Sequence, residues 1–427
     1  MRHAPLTILG LGLLALTHAG CERYPEDPIF AYGRVRQLDG APLAGEPLTL
    51  ERRTDGVFAP LSTATTDASG EFTFELLSGD AVHWRDDEQQ SRLRVTLPQD
   101  ASGRGMFALF YIQDDVELPT LQPWDAHPRV EAGPQGPAVA FPPPPPPLEV
   151  PETASLPQVI GPEDTVPRLV FPSPPATLLW LTSEGQLLWR WTGTTSPWTP
   201  SPYVLEDFAA PQVQLRAVSV GNWGFSPLGG EPSGVDFRVE WRTAHEPLPP
   251  GSLRPASRGA TCAPLFPEVC PWTDGRLESV PVANPRTDPP VYGLVFTLPQ
   301  PTRPRHAVVR GLRHADSYEG KEWLVLEGSL DGEHWKVLSR TVLRELDSFT
   351  QTQNYFLYSY YRDLTETDSP YGDSPIHLGN QTPVFTELPL ADAEPTRYVR
   401  LSVELLEYSG GTTPGALLSL GELSVFE

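Results

Sequence analysis

The residues best suited to chemistry lie in one long segment, TQTQNYFLYSYYRDLTETDSPYGDSPIHLGNQ, at positions 350–381. Four closely spaced tyrosines, Tyr355, Tyr358, Tyr360 and Tyr361, have amides, acids and an arginine around them. A tyrosine ring can stack on the face of a sugar while neighbouring polar groups bond its hydroxyls. The same spacing also fits an added strand whose tyrosines pack inward. A ligand-binding loop and an extra piece of core therefore both remain open.

Sequence motifs of common enzyme classes are missing. The chain has no Gly-x-Ser-x-Gly elbow, no His-Glu-x-x-His, no phosphate-binding loop and no EF-hand loop. A glycosidase needs only two well-placed carboxylates, and 54 acidic residues supply many pairs by chance. We therefore predict that the protein is not an enzyme, with a carbohydrate-active hydrolase as a less favoured alternative.

Composition limits the partners and the fold. The net charge of −23 produces a field that repels nucleic acid, so we expect no nucleic-acid partner. The 51 prolines among 427 residues argue against long helices, because an interior proline breaks helical hydrogen bonding. Short apolar or alternating runs between turn residues dominate the chain. The fold class predicted from them is all-β, built of tandem β-sandwiches.

The N-terminus has the features of an export signal. The apolar run LTILGLGLLAL at 6–16 is too short to span a bilayer, and HAGC follows it at 18–21. This ending resembles the bacterial lipobox, although His18 stands where that motif usually has leucine. The resemblance implies a signal peptide at 1–20 and lipidation at Cys21, which would anchor the chain to the outer membrane or cell surface. An ordinary signal peptide with an incidental Cys21 is the alternative.

The first predicted domain, 27–125, carries the strands YGRVR, EPLTLERR and EFTFELL, separated by the turns LDGAPLAG and TDASG. This pattern resembles the carboxypeptidase-regulatory-like, or transthyretin-like, fold. The resemblance implies a seven-stranded sandwich that spaces or supports other domains. Asp67 and Gly70 are expected to form a turn, since Asp bonds nearby backbone and Gly tolerates positive φ.

Two segments separate this domain from the last one. Residues 126–165 contain FPPPPPP and are predicted to be a proline-rich linker in polyproline II conformation. Residues 166–250 faintly resemble an immunoglobulin or fibronectin type III sandwich. Within them Trp180, Trp189 and Trp241 are expected in the core, although a carbohydrate-stacking face is an alternative.

The last predicted domain, 251–427, contains TDGRLES, EWLVLEGSLDGEHWKVL, TRYVRLSVELL and GELSVFE in that order. The order resembles the discoidin, or galactose-binding-like, family. It implies an eight-stranded jelly roll whose first and last strands pair and whose end loops bind ligands. Asp331-Gly332 should turn a hairpin, Trp335 should pack against the core, and His334 should face solvent.

The remaining chemistry concerns cysteines and a metal ion. With Cys21 assigned to lipid, Cys262 and Cys270 are left to pair in an oxidising compartment, and a metal pair is a weak alternative. The discoidin resemblance also implies a structural calcium ion at Thr273, Asp274 and Glu422. A turn-forming Asp274 and an edge-strand Glu422 without metal are equally open.

Taken together, these expectations describe a lipid-anchored cell-envelope protein. Its membrane contact would be the N-terminal lipid. Its discoidin-like domain would bind a glycan or another surface macromolecule without covalent chemistry. A purely structural envelope lipoprotein without a ligand is the alternative.

Overall fold

The computed structural model describes residues 26–54, 57–77, 79, 93–98, 105–110, 115–124, 126–133, 136–143, 145, 176–192, 195–225, 233–262, 265–266, 268–282, 289–314, 321–345, 383–390, 394–406 and 410–427. Cys21 and the four tyrosines Tyr355, Tyr358, Tyr360 and Tyr361 lie outside these residues. The predictions made for them stay predictions.

Short strands dominate the chain before residue 250, as the alternating runs predicted. In chain order the elements are β1 Pro28–Arg34, β2 Pro47–Thr54, β3 Val57–Thr65, β4 Glu71–Leu77, β5 Leu93–Leu97, β6 Gly105–Phe110, β7 Val116–Glu117, β8 Arg129–Gly133, β9 Gly136–Ala140, β10 Ala176–Ser183, β11 Gln186–Thr192, α1 Pro202–Leu205, β12 Pro211–Phe225 and β13 Ser233–Pro247. Helix α1 has four residues. Across the described ranges, no helix is long and apolar enough to cross a membrane.

The first and middle predicted domains share one sheet. Its eight strands lie in the order β11-β10-β12-β13-β6-β5-β2-β3, and β4-β1-β7 form a separate sheet that shares a core with it. Strand β6 pairs with β13 from Phe110↔Phe237 to Gly105↔Arg242. Within the described residues, segment 166–250 thus adds four strands to this sheet and forms no second sheet of its own. Alternation predicted the strands, but it carries no signal for a pairing between segments so far apart.

One continuous core lies against this sheet. Trp241 is 1% exposed, and its Nε1 donates to the carbonyl of Gln122 at 2.7 Å, which ties the middle segment to the first. Trp189 belongs to the same core. Trp180 is also buried, but its Nε1 has no hydrogen-bond partner among the described residues. The guanidinium of Arg216 lies 3.7 Å from the centre of the Trp180 ring.

The predicted linker begins with folded structure. Strands β8 and β9 form an antiparallel hairpin inside 126–165, and Val139 is completely buried. The backbones of Val139 and Trp198 exchange two hydrogen bonds, at 2.7 and 2.9 Å. The prediction of a linker starting at 126 was wrong, because an apolar Val139 flanked by prolines and glycines still finds a place in the core.

The predicted turn in the first segment is confirmed. Asp67 Oδ1 accepts from the backbone N–H of Ser69 at 2.8 Å and of Glu71 at 2.9 Å. Gly70 has φ +77°, and a Cβ there would lie 2.4 Å from the carbonyl oxygen of Val35. Only glycine fits this close approach.

The last segment, which we call the head, is a two-sheet sandwich. Its strands are β14 Val280–Pro281, β15 Gly293–Thr302, β16 His306–His314, β17 Lys321–Ser329, β18 Lys336–Glu345, β19 Val384–Pro389, β20 Thr396–Leu406, β21 Thr412–Gly415, β22 Leu417–Leu420 and β23 Glu422–Phe426. One sheet has the order β14-β22-β16-β19 with β23 beside β16. The other has the order β15-β20-β17-β18 with β21 beside β20. The described head therefore has ten strands where eight were predicted.

The predicted pairing of the first and last strands takes a different form. Strand β14 pairs with β22, and the closing strand β23 pairs with β16 from Phe426↔His306 to Glu422↔Arg310. The chain before β14 reaches β23 through Ala256 N–H to Val425 O at 2.7 Å and through Val425 N–H to Ser257 Oγ at 2.9 Å. A serine hydroxyl thus replaces a strand carbonyl, so no regular ladder forms there.

The head packs directly on the middle segment. Ser201 caps α1 by accepting from the Tyr203 N–H at 3.2 Å, and the Tyr203 ring stacks on His306 with centroids 4.0 Å apart. Val308 and Phe426 of the head belong to the core of the first two segments. The helix therefore contacts both the head and the core of the large sheet.

We predict that Trp241→Phe lowers the free energy of unfolding by about 1–3 kcal/mol, because the carbonyl of Gln122 loses its buried donor. Trp180→Phe is the matched control, since it makes the same change at a buried ring whose N–H has no such bond. Urea unfolding of the full chain followed by circular dichroism measures both. Equal losses in the two variants would contradict the assigned role of the Trp241 bond.

Candidate functional site

The turn between β17 and β18 is a tightly bonded loop. Asp331 Oδ1 accepts from the backbone N–H groups of Glu333 and His334, at 2.9 Å each, and from the Ser329 hydroxyl at 3.0 Å. The backbone and side-chain donors of His334, with Glu333 and Ser329, hold the pKa of Asp331 well below its ordinary value. Gly332 has φ +82°, so the predicted bend at Asp331-Gly332 is confirmed.

Two other predictions in this loop have opposite outcomes. The side chain of His334 is 87% exposed, which confirms its position in solvent. The prediction that Trp335 packs against the core was wrong. Its ring is half-buried, its Nε1 donates to the Gly332 carbonyl at 3.1 Å, and the Arg400 guanidinium lies 4.5 Å from the ring centre. Trp335 precedes β18, so strand alternation does not determine the face it occupies.

The outward face of the sheet β15-β20-β17-β18 carries aromatic and charged side chains. Leu324 and Leu326 of β17, with Val399, Leu401 and Val403 of β20, point into the head core. The alternating partners Trp323 and Glu327 therefore lie on the opposite face, across from Glu404 and Arg400. EWLVLEG has apolar residues at most positions, so its sequence alone does not identify this face.

Two similar units are built on that face. In one, Arg400 lies over Trp335 and its Nε donates to Glu327 Oε2 at 2.5 Å. In the other, the Arg340 guanidinium lies 4.3 Å from the centre of the Trp323 ring, and its Nη2 is 2.8 Å from Glu404 Oε2. We call the surface formed by Trp323, Arg340, Trp335 and Arg400 the tryptophan–arginine face.

Exposed apolar side chains adjoin both units. Val337 lies opposite Glu327 and is 53% exposed, whereas Val342 lies opposite Trp323 and is 45% exposed. Trp323 and Glu327 are four residues apart on one strand, so the units are separated by about 13 Å at ~3.3 Å per residue.

The face combines apolar and hydrogen-bonding side chains. The aromatic rings and valines provide apolar area. The guanidiniums and carboxylates beside them provide hydrogen-bond donors and acceptors. Arginine stacks on aromatic rings and bonds planar acidic groups in pairs. The cross-strand register that brings Arg340 to Trp323 and Arg400 to Trp335 could not be derived from the sequence.

The predicted disulfide is present. Cys262 and Cys270 are bonded, with their Cα atoms 5.3 Å apart, and both are buried in the head core. Backbone hydrogen bonds between Cys262 and Phe266 close the loop between the two cysteines.

The three predicted calcium ligands are neighbours, but they bond to other groups. Thr273 Oγ1 donates to the Cys270 carbonyl at 3.3 Å, and Asp274 Oδ1 accepts from the Arg276 N–H at 2.8 Å. Glu422 is fully buried, and both its oxygens lie 3.3 Å from the Gly275 nitrogen. In the part of the chain that the structure describes, no three His, Cys, Asp or Glu residues converge as metal ligands do.

A guanidinium lies beside Glu422. Arg258 Nη1 is 3.5 Å from Glu422 Oε1, and Arg258 Nη2 donates to Glu206 Oε1. The residues present do not fit calcium, which takes six to eight oxygen ligands and would face this positive charge.

Comparison with known proteins adds little. No family model matches the chain, and no curated protein is significantly similar to it. A DUF3823 family protein from Parabacteroides merdae ATCC 43184 is 13% identical over 52% of this chain and 98% of its own, with a TM-score of 0.16. A tetra-tandem repeat from the extending region of a large adhesion protein is 9% identical over 74% and 66% of the two chains, with a TM-score of 0.13.

A glycoside hydrolase is 10% identical over 92% of this chain and 83% of its own, with a TM-score of 0.17. All three TM-scores are far below 0.5. None of these likenesses supports an argument about the fold or the activity of this chain.

We predict that Asp331→Asn destabilises the protein at neutral pH and that this difference becomes smaller in acid. Folding lowers the pKa of Asp331, so the carboxylate contributes its full stabilisation above the unfolded value near 3.8, and this stabilisation decreases progressively as the pH falls from there towards the lower folded value. Thermal unfolding of both proteins between pH 2.5 and 7 measures this. A difference that is constant across that range would contradict the prediction.

Proposed function

We propose that this chain is a lipid-anchored cell-envelope protein whose head binds carbohydrate without covalent chemistry. The observation that carries the proposal is the tryptophan–arginine face, where the half-buried indoles of Trp323 and Trp335 each lie beside an arginine that is paired with a glutamate. Indole rings stack on the apolar faces of sugar rings, and neighbouring charged groups bond the hydroxyls.

The charge of the face favours glycans that carry acidic groups. Arg340 and Arg400 are each paired with one glutamate, and Lys321 Nζ lies 5.6 Å from the centre of the Trp323 ring, on a chain whose net charge is −23. A ligand carboxylate or sulfate can compete for a guanidinium that is already stacked and oriented. The strongly negative remainder of the chain would repel the same ligand elsewhere.

The tyrosine-rich segment is a second part of the proposed ligand-binding region. This segment follows β18 in the sequence, and β18 is the edge strand that carries Arg340, Val337 and Val342. Its four tyrosines lie outside the described residues, so this part of the proposal rests on their types and spacing.

A structural envelope protein without a ligand is the second candidate. The observation in its favour is that each guanidinium of the tryptophan–arginine face already has a ring and a carboxylate as partners. Such pairs could serve only to cover the sheet. Binding measurements separate the two candidates.

We predict that the full chain binds acidic oligosaccharides on a glycan array and that Trp323→Ala and Trp335→Ala each weaken binding about 10-fold. Loss of one stacking surface is worth about 1–1.5 kcal/mol, which corresponds to that factor. Tyr32→Ala is the control, because it removes a 37% exposed aromatic ring in the first segment. Isothermal titration with and without calcium gives the affinities.

The outcomes of this experiment are distinct. No binding by a folded wild-type chain favours the structural candidate. Binding that survives both tryptophan variants but is lost when Tyr355, Tyr358, Tyr360 and Tyr361 are replaced by alanine moves the site to that segment. Turnover of a glycan that one carboxylate substitution abolishes would instead support a hydrolase.

We also predict that Cys21→Ser abolishes incorporation of a fatty-acid label and releases the chain from the membrane fraction. Two or more acyl chains give stable anchoring, and the variant would retain none. Labelling of bacteria that express the full chain, followed by fractionation, tests this. Equal labelling of the variant would show that Cys21 is not the acylated residue.

A further inference from the structure

The guanidinium of Arg258 lies between two carboxylates from distant parts of the chain. Its Nη2 donates to Glu206 Oε1, directly after helix α1, and lies 3.2 Å from Asp207 Oδ1. Its Nη1 lies 3.5 Å from Glu422 Oε1, at the start of the closing strand β23. The arginine side chain is 14% exposed, and both glutamates are fully buried.

A second guanidinium completes the arrangement. Arg310 is 1% exposed, and its Nη2 lies 3.1 Å from Glu206 Oε2. The same group donates to the carbonyls of Tyr203 and Val204, while Nη1 donates to Ser424 Oγ at 2.9 Å. The Ser424 hydroxyl in turn donates to Glu206 Oε2 at 2.7 Å. We call Glu206, Arg258, Arg310, Glu422 and Ser424 the junction cluster.

The absence of a side chain at Gly275 leaves room for the Arg258 guanidinium. Gly275 has φ +87°, and a Cβ at this position would lie 1.6 Å from Arg258 Nη1. The guanidinium therefore occupies the space that any other residue would fill. Glu206 itself has φ +48°, a conformation that favours glycine, and it is held there with its carboxylate inside the cluster.

The guanidiniums of the junction cluster leave no place for a divalent ion beside Glu206 and Glu422. Each of these buried carboxylates already has a guanidinium beside it, and Asp207 lies next to Arg258 as a third acid. Burial raises the pKa of both Glu206 and Glu422, while the arginines oppose this.

We propose that the Arg258 guanidinium is the built-in cation of the head, occupying the position beside Gly275 and Glu422 that the discoidin resemblance assigns to calcium. Because the same group also binds Glu206, it links the closing strand of the head to the middle segment. A metal ion bound only by Thr273, Asp274 and Glu422 would hold the head together but would not make this link.

The proposal has a structural consequence. An ion-dependent junction loosens when calcium is removed, whereas a guanidinium stays attached to the chain. The head and the middle segment should therefore keep their arrangement in calcium-free or chelating surroundings. Such behaviour suits a chain that works outside the cell, where free calcium varies.

The first test uses the wild-type full chain and needs no variant. We expect its thermal midpoint to differ by less than about 1 °C between 1 mM calcium chloride and 1 mM EDTA. We also expect no luminescence from added terbium excited through Trp272, which adjoins Thr273 and Asp274. A midpoint raised by calcium, or terbium luminescence that calcium competes away, would overturn the proposal.

The second test measures coupling between the two charges. Arg258→Ala should lower the midpoint by about 5 °C or more, because two buried carboxylates lose their shared partner. Adding Glu422→Gln to that variant should recover part of the loss, since the unpaired charge is then gone. Arg34→Ala is the control, because it removes an arginine from an exposed pair with Glu71.

Additive losses in this cycle, or a wild-type midpoint for Arg258→Ala, would overturn the proposal. If Arg258→Ala does not fold, Arg258→Lys takes its place, since it keeps the charge but loses the two-sided geometry. The lysine variant should lose stability and should gain no response to calcium. A lysine variant with wild-type stability would also count against a role for the guanidinium.

Discussion

The structure depends on the junction cluster, which pairs two buried carboxylates with positively charged guanidiniums. An unpaired carboxylate in a protein interior is strongly unfavourable, and removing one partner of a buried pair costs about 3–5 kcal/mol. Glu206 and Glu422 are both fully buried, and two guanidiniums with the Ser424 hydroxyl satisfy them. The head, the helix α1 and the closing strand β23 must therefore be positioned together, because each supplies one part of the same network.

Because of this constraint, the three segments pack together and are not independent domains joined by linkers. The large sheet joins the first and middle segments through β6 and β13, and the head contributes Val308 and Phe426 to the core beneath it. Apolar burial supplies the attraction between these parts, but it is non-directional. The charged network has a fixed geometry and so selects one arrangement of the head on the helix.

Local features were predictable from the sequence, whereas long-range ones were not. The bend at Asp331-Gly332 and the turn at Asp67 and Gly70 follow from residue types a few positions apart. The all-β class and the Cys262–Cys270 bridge also follow from composition and cysteine number. The pairing of β6 with β13 depends on segments more than 100 residues apart, and no local pattern records it.

The same reasoning applies to the sites. Arg258 lies far along the chain from both Glu206 and Glu422, and nothing in its neighbours ASRGA marks it as a buried ion partner. Its position becomes visible only when Gly275 is seen to leave room for the guanidinium. The tryptophan–arginine face is similar, because each stacked pair joins residues that only the strand register brings together.

The chain uses arginine in two physically different ways. In the junction cluster the guanidiniums are enclosed, so their value lies in cancelling charge where water cannot. On the tryptophan–arginine face the groups are 36–42% exposed, and pairs of that kind contribute little to stability. The two sets of arginines therefore differ in what they do for the fold. The enclosed guanidiniums fix how the head meets helix α1, whereas the pairs on the face contribute little to holding the sheet together.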